Sequence, residues 1–303
     1  MHGLSSRQVL PVLGILVWLM TTLTHPVLAA SLTIGTISNT PVKEIRQYTP
    51  VAQYLATRIG YPRLDEGRVI VARDIRHMAE MIRLGEVDIY IDSPLSSLGV
   101  NRLSGAEMVL RRWKHDIPEY ESLIFVRNES KIQSLTDLEG EIIGFKDPNS
   151  TSGYLLPRIA LSESGLDMVP ASRLKAQTQP GQVGYQFTNA NENTIVWVLF
   201  GKIAAGAIAW DELLSRPPSE QERLRVIHQT PSLPRHVVNF RPGLASETRD
   251  ALIDALIGMD QTPTGKSLLK AFENTTRFDP LPEETLHQLE QIRPAVLSIL
   301  GIP

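Results

Sequence analysis

The chain contains no cysteine. Disulfides, thiolate-bound zinc, iron–sulfur clusters and thiol catalysis are therefore excluded. It also lacks an excess of charge of either sign. Thirty Lys and Arg stand against 33 Asp and Glu, for a formal net charge of −3. A nucleic-acid binder carries a basic footprint, and none is present. After the first 30 residues no stretch is long and apolar enough to span a bilayer as a helix. The common catalytic signatures G-x-G-x-x-G, G-x-S-x-G and H-E-x-x-H are missing too. The seven His are scattered, with no pair at metal-ligand spacing. Gly265-Lys266-Ser267 looks like the end of a phosphate-binding P-loop, but the glycine required five positions earlier is Asp260. That stretch reads instead as a helix start, with Thr264 as its cap. What is present is an ordinary globular composition: 303 residues, 42% hydrophobic and 21% charged. At ~150 residues per domain, the length suits about two domains.

Residues 1–30 differ from the rest. Arg7 is their only charged residue, an apolar run follows from Val9 to Met20, and the segment closes on Ala29-Ala30. This is the pattern of a secretory signal peptide. No Cys follows it, so a lipoprotein anchor is not expected, and the mature chain is expected to be exported. Beyond it, strand and helix alternate. Leu32–Ile37, Arg68–Ala72 and Val87–Ile91 read as strands. Between them, Thr49-Pro50 opens one helix ended by Gly60, and Asp74 caps another ended by Gly85. A second unit starts near Tyr120, with strands at Ser122–Val126, Glu141–Phe145 and Ile203–Ala209. Residues 166–190 carry no clear pattern. Asn191 is expected to cap a helix to Phe200. Strands near Arg225–His228 and His236–Phe240 come next, then helices over 246–259, 264–272 and 282–300. Strand–helix–strand repetition predicts an α/β fold with mostly parallel sheets.

One segment stands out chemically. Asn149-Ser150-Thr151-Ser152-Gly153 lies between a strand and a helix. Hydroxyls and free amides at a helix start suit an anion. The same residues also suit plain capping. Asp92-Ser93-Pro94, Asn191-Glu192 and Trp210-Asp211 fall at equivalent strand ends or helix starts, where open sheets bind ligands.

These residues resemble one family. Tyr48-Thr-Pro50 through Tyr54-Leu55, Gly85-Glu-Val-Asp-Ile-Tyr-Ile-Asp-Ser-Pro94, Tyr120-Glu-Ser-Leu-Ile-Phe-Val126, Ser134-Leu-Thr-Asp-Leu-Glu-Gly140 and Phe145-Lys-Asp-Pro-Asn-Ser-Thr-Ser-Gly153 carry the likeness. The chain resembles the periplasmic substrate-binding proteins of phosphate/phosphite/phosphonate ABC transporters over nearly its whole mature length. The resemblance implies a type II periplasmic binding protein: two α/β lobes, two hinge strands, and the ligand cleft between them. Lobe I is expected over 31–119 plus 231–303 and lobe II over 120–230, with hinge strands Tyr120–Val126 outward and Val237–Arg241 returning. It further implies that Ser150, Thr151 and Ser152 grip the ligand oxygens. The full set of candidate ligand-binding residues is Asn39, Asp92, Ser93, Tyr120, Ser150, Thr151, Ser152, Asn191, Glu192 and Asp211.

Two departures from the family matter. Its phosphonate binders often carry an aromatic residue where this chain has Asp92. Near Asn191 they commonly carry a His before an acidic residue, and here only the acid, Glu192, remains. A carboxylate near an anion is repulsive unless protonated or matched by a cationic ligand group. Either the ligand brings an amine or hydroxyls toward Asp92, or Asp92 turns from the cleft. The expected activity is capture of a small oxyanion, phosphonate-, phosphite- or phosphate-like, by a monomer. An inner-membrane ABC permease receives it. No cofactor, metal or nucleic acid is expected. A ligand-presenting accessory of a membrane sensor kinase is the alternative. A secreted hydrolase using Asp92 with Asp211 or Glu192 is a further one.

Overall fold

In the computed structural model, residues 31–60, 67–173 and 178–303 are described. The expected signal peptide, residues 1–30, lies outside them. In chain order the elements are β1 (Leu32–Ile37), α1 (Pro41–Arg58), β2 (Gly67–Ala72), α2 (Ile75–Arg83), β3 (Ile89–Asp92), α3 (Pro94–Ser104) and β4 (Glu107–Lys114). There follow β5 (Glu119–Tyr120), β6 (Ser122–Arg127), β7 (Ile142–Phe145), α4 (Leu156–Glu163), β8 (Asp167–Pro170), β9 (Gln182–Phe187), α5 (Asn191–Leu199), β10 (Ala205–Ala209), α6 (Trp210–Leu214) and α7 (Pro218–Gln221). The chain ends with β11 (Leu224–Gln229), β12 (Leu233–Pro234), β13 (His236–Phe240), α8 (Ser246–Ile257), α9 (Pro263–Ala271), β14 (Thr275–Pro280) and α10 (Glu283–Ile299).

Two six-stranded sheets result. One runs β14-β4-β13-β3-β1-β2, the other β11-β6-β10-β7-β9-β8. In each, three or more parallel strands adjoin antiparallel ones. The strand that has just arrived from the other sheet, β13 or β6, pairs antiparallel with β3 or β10. The chain crosses between the sheets twice, and the crossings pair with each other. β5 and β12 form a two-stranded ribbon with Tyr120 opposite Leu233 and Glu119 opposite Pro234. The return crossing thus precedes the expected Val237–Arg241, which lies inside the first sheet.

Several helix starts differ from expectation. α1 begins at Pro41, and Pro50 sits within it. An internal proline removes one helical hydrogen bond. The helix continues because Tyr48, Val51, Ala52, Leu55 and Ala56 share one buried face across that point. Thr49 donates its hydroxyl to Ile45 O instead of capping. The cap of α9 is Thr262, which accepts from the Gly265 amide, rather than Thr264. Asn191 is the first helical residue of α5, after Ala190, and does not cap it. Asp74 caps α2 as expected, accepting from His77 N at 2.8 Å.

The cores sit against the sheets. One hydrophobic cluster contains Ile34, Val51, Leu55, Ile91, Val238 and Phe240 of the first sheet and its helices. Another extends across both sheets. It joins Leu95 and Leu98 of α3, Tyr154 and Leu155 before α4, Leu233 of the ribbon, and Leu289 and Val296 of α10.

Candidate ligand-binding site

β7 delivers the chain to the turn that dominates the site. Ser150 accepts from the Gly153 amide at 3.0 Å and so closes the loop as a cap. Thr151–Leu155 then forms one wide π-type turn that runs directly into α4. Amides at such a start lack intrahelical acceptors and carry the positive end of the helix dipole. The tight geometry needs glycine at 153. A Cβ there would lie 2.6 Å from Lys146 Cβ and 2.8 Å from Ser150 Oγ. From behind, the fully buried Ser122 donates its hydroxyl to Ser152 O at 2.5 Å. Ser122 N in turn donates to Thr230 Oγ1 at 3.0 Å, which locks the turn to both crossing segments. Thr151 is 3% exposed, and among the described residues its buried hydroxyl, beside the Tyr120 phenol, has no well-aligned hydrogen-bond partner. Leaving a buried hydroxyl unpaired costs about 1–3 kcal/mol.

The crossing ribbon supplies the rest. Tyr120 is buried beside the Thr151 and Ser152 hydroxyls, and burial pushes its phenol up, with the Arg235 charge opposing. Arg235, at the end of the returning ribbon, lays its guanidinium over the Tyr120 ring at 4.7 Å from the centroid. It is 9% exposed. Its Nη2 abuts Asp211 Oδ2, the first-turn carboxylate of α6. The contact lacks hydrogen-bond alignment, and among the described residues Arg235 Nε and Asp211 Oδ1 are both buried without partners. Donors and an acceptor with unused capacity therefore meet in one enclosed place.

On the facing sheet, Asp92 ends β3 and is half-buried. Its Oδ2 accepts from Ile37 N at 2.9 Å and Thr36 Oγ1 at 3.2 Å, and its Oδ1 from Ser93 N at 2.7 Å. These bonds tie β3 to β1 and to the start of α3. Burial nevertheless raises its carboxyl to about 6, against the pull of those amides. Ser93 donates to Ser96 Oγ at 3.1 Å. Asn39 and Glu192 are exposed and Asn191 is half-buried. Among the described residues no side-chain hydrogen bond or ion pair joins these three to the cluster. The structure thus gathers Tyr120, Thr151, Ser152 and Asp211, with Ser150 as their cap. It adds Arg235, which sequence reasoning missed. The available signal was the Leu233-Pro-Arg-His236 stretch, whose Arg lies two residues before the expected return strand.

Paired crossings between two α/β lobes, and a polar site at the carboxyl ends of the parallel strands, define a type II periplasmic binding protein. The chain belongs to the family of periplasmic substrate-binding proteins of phosphonate ABC transporters, whose profile matches residues 34–286. It is a substrate-binding transport component and not an enzyme, which sets the hydrolase alternative aside. The phosphonates-binding periplasmic protein of Escherichia coli K12 is 26% identical over 246 residues, spanning 79% of this chain and 69% of that protein. XAC2383 from Xanthomonas citri, solved with a bound chloride ion, is 26% identical with a TM-score of 0.80, covering 90% of this chain and 99% of that one. PhnD1 from Prochlorococcus marinus MIT 9301, solved in complex with methylphosphonate, shares the fold at a TM-score of 0.63 and 19% identity, over 88% and 98% of the two chains. Among the described residues no helix is long and apolar enough to cross a membrane.

Proposed function

We propose that this protein captures a small phosphorus oxyanion, phosphonate-, phosphate- or phosphite-like, in the cleft between lobes 31–119 plus 231–303 and 120–230. It acts as a monomer, after export through residues 1–30 as a signal peptide, and hands the ligand to an inner-membrane permease. The observation that carries the reading is the buried Thr151 hydroxyl at a helix start, without a well-aligned partner among the described residues, beside a buried Arg235 with an unused N–H. Such a set of donors at the positive end of a helix dipole suits an oxyanion. Specificity comes from hydrogen bonds in a desolvated site, and no bond of the ligand is broken. The phosphonate named for the Escherichia coli relative and the methylphosphonate named for PhnD1 fit this donor set.

Titration calorimetry with methylphosphonate, inorganic phosphate and phosphite tests the reading. At least one should bind, and Thr151→Ala should weaken it about ten-fold or more, from one lost hydrogen bond of ~1.5 kcal/mol to a charged group. The thermal midpoint should change little, because Ser150 and not Thr151 caps the turn. No heat with any of the three oxyanions would overturn the reading.

A further inference from the structure

We propose that Arg235 is the ligand's charge partner and that, by neutralising Asp211 and covering Tyr120, it restricts the site to oxyanions without an amine. The inference rests on the oxyanion reading above and names the class of ligand within it. An ammonium group on a ligand needs a carboxylate or an aromatic face. Among the described residues, the carboxylate and the aromatic face that adjoin the Thr151 turn are already taken by the protein itself. Asp211 touches the Arg235 guanidinium. The Tyr120 ring carries the same guanidinium at 4.7 Å. Both oxygens of Asp92 are engaged by Ile37, Thr36 and Ser93. Glu273 of the first lobe is shared among Arg112, Lys114 and Lys43.

Arg235 has capacity to spare. A guanidinium offers five N–H donors. Here the Nη2 contact to Asp211 is off the line of a hydrogen bond, and Nε has no partner. A ligand oxygen reaching Nε would give this buried cation the aligned bond that Asp211 does not. Asp211 keeps the cation in place while the site is empty, and its free Oδ1 remains an acceptor for a ligand hydroxyl. The backbone of Arg235 is held in place as well. The residue follows β12 directly, so its backbone is fixed by the crossing ribbon, with its amide donating to Pro118 O at 3.2 Å.

The test compares two ligands with the same headgroup. Methylphosphonate and 2-aminoethylphosphonate are titrated calorimetrically into the wild-type protein, with inorganic phosphate as a third probe. Methylphosphonate is expected to bind at least ten-fold more tightly than the amine-bearing ligand. Equal or reversed affinities would overturn the proposal, and this comparison needs no variant. Arg235→Met should then lower methylphosphonate affinity at least a hundred-fold. It should also raise 2-aminoethylphosphonate affinity relative to methylphosphonate, because Asp211 and the Tyr120 face are uncovered. Arg235→Lys, which keeps the charge against Asp211, serves if the Met variant does not fold. It should lose at least ten-fold in methylphosphonate affinity, and affinity within two-fold of wild type would overturn the role of Arg235. If neither these three ligands nor phosphite gives heat, the oxyanion reading itself fails. If they bind without preference against the amine, only the present inference fails.

Discussion

Glu273 shows how much a single residue carries in the first lobe. It sits at φ 52° with Asn274 at 53°, a left-handed pair that faces a second such pair, His115 and Asp116. The two are joined by His115 N donating to Asn274 O at 2.9 Å. This unusual backbone aims the carboxylate at Arg112, whose side chain is wholly buried against Phe272. Lys114 lies at 3.6 Å from the same carboxylate. Burial alone would raise Glu273, but Arg112 and Lys114 outweigh it and hold the carboxyl well below the usual carboxylate range. A depressed folded value means stability that is present above the unfolded value near 4.5 and is lost as pH falls below it. Glu273→Gln should therefore destabilise the protein by roughly 3 kcal/mol at pH 7, since it strands a buried arginine. The gap between wild type and variant should shrink below about pH 4.5, as read from urea midpoints across pH. Asp92 has the opposite sign. Its raised value, about 6, gives a contribution that is full below about 3.8 and lost as pH rises through 6. A carbon-13 titration of the Asp92 carboxyl should find its midpoint near pH 6.

Among the elements, the turn before α4 depends most on one position. Gly153→Ala should push Lys146 and Ser150 apart, at a cost of about 1–3 kcal/mol, and misplace Thr151. Calorimetry should show affinity for methylphosphonate falling further than the thermal midpoint alone would suggest. The Asn149–Gly153 segment was legible from sequence because hydroxyls, a strand before and a helix after all agree. Strands β1, β2 and β6, and helix α2 with its Asp74 cap, were legible for the same reason: apolar period and end signals coincide. The start of α1 was not, because Thr49-Pro50 mimics a helix start while the burial of Tyr48 and Leu55 carries the helix through. β4 and β14 were missed because charged residues on them are half-buried in pairs. Arg111 bonds Asp279 twice at 2.9 Å, so its strand does not alternate apolar and polar. Arg235 was hidden for a related reason. Its partner Asp211 is 24 residues away in sequence, and the two meet only when β10 and β12 are brought to one place.

For the whole molecule, the apolar seam shared by α3, the Thr151 turn and α10 bears on opening and closing. Leu95 and Leu155 are fully buried and Leu98 is 1% exposed. Separating the lobes would return such side chains to water at about 1.5–3 kcal/mol each when fully exposed. The closed arrangement should therefore dominate without ligand, and X-ray scattering with and without methylphosphonate should give nearly the same radius of gyration. Leu98→Asp should enlarge the ligand-free radius. It should also weaken binding in proportion to the lost closed fraction, though Leu98 is not among the ligand-site residues. The crossing ribbon has a consequence of another kind. Tyr120 and Leu233 face each other as strand partners, so the two ends of segment 121–232 lie about 5 Å apart. A short turn joining them would leave β4 and β13 neighbours in the first sheet, since those strands pair directly. In the economy of the gene, one unbroken stretch of coding sequence thus specifies a cartridge with a single way in and a single way out. Any segment put in its place would also have to cover Leu95 and Leu98 of α3 and Leu289 and Val296 of α10, which the native one buries.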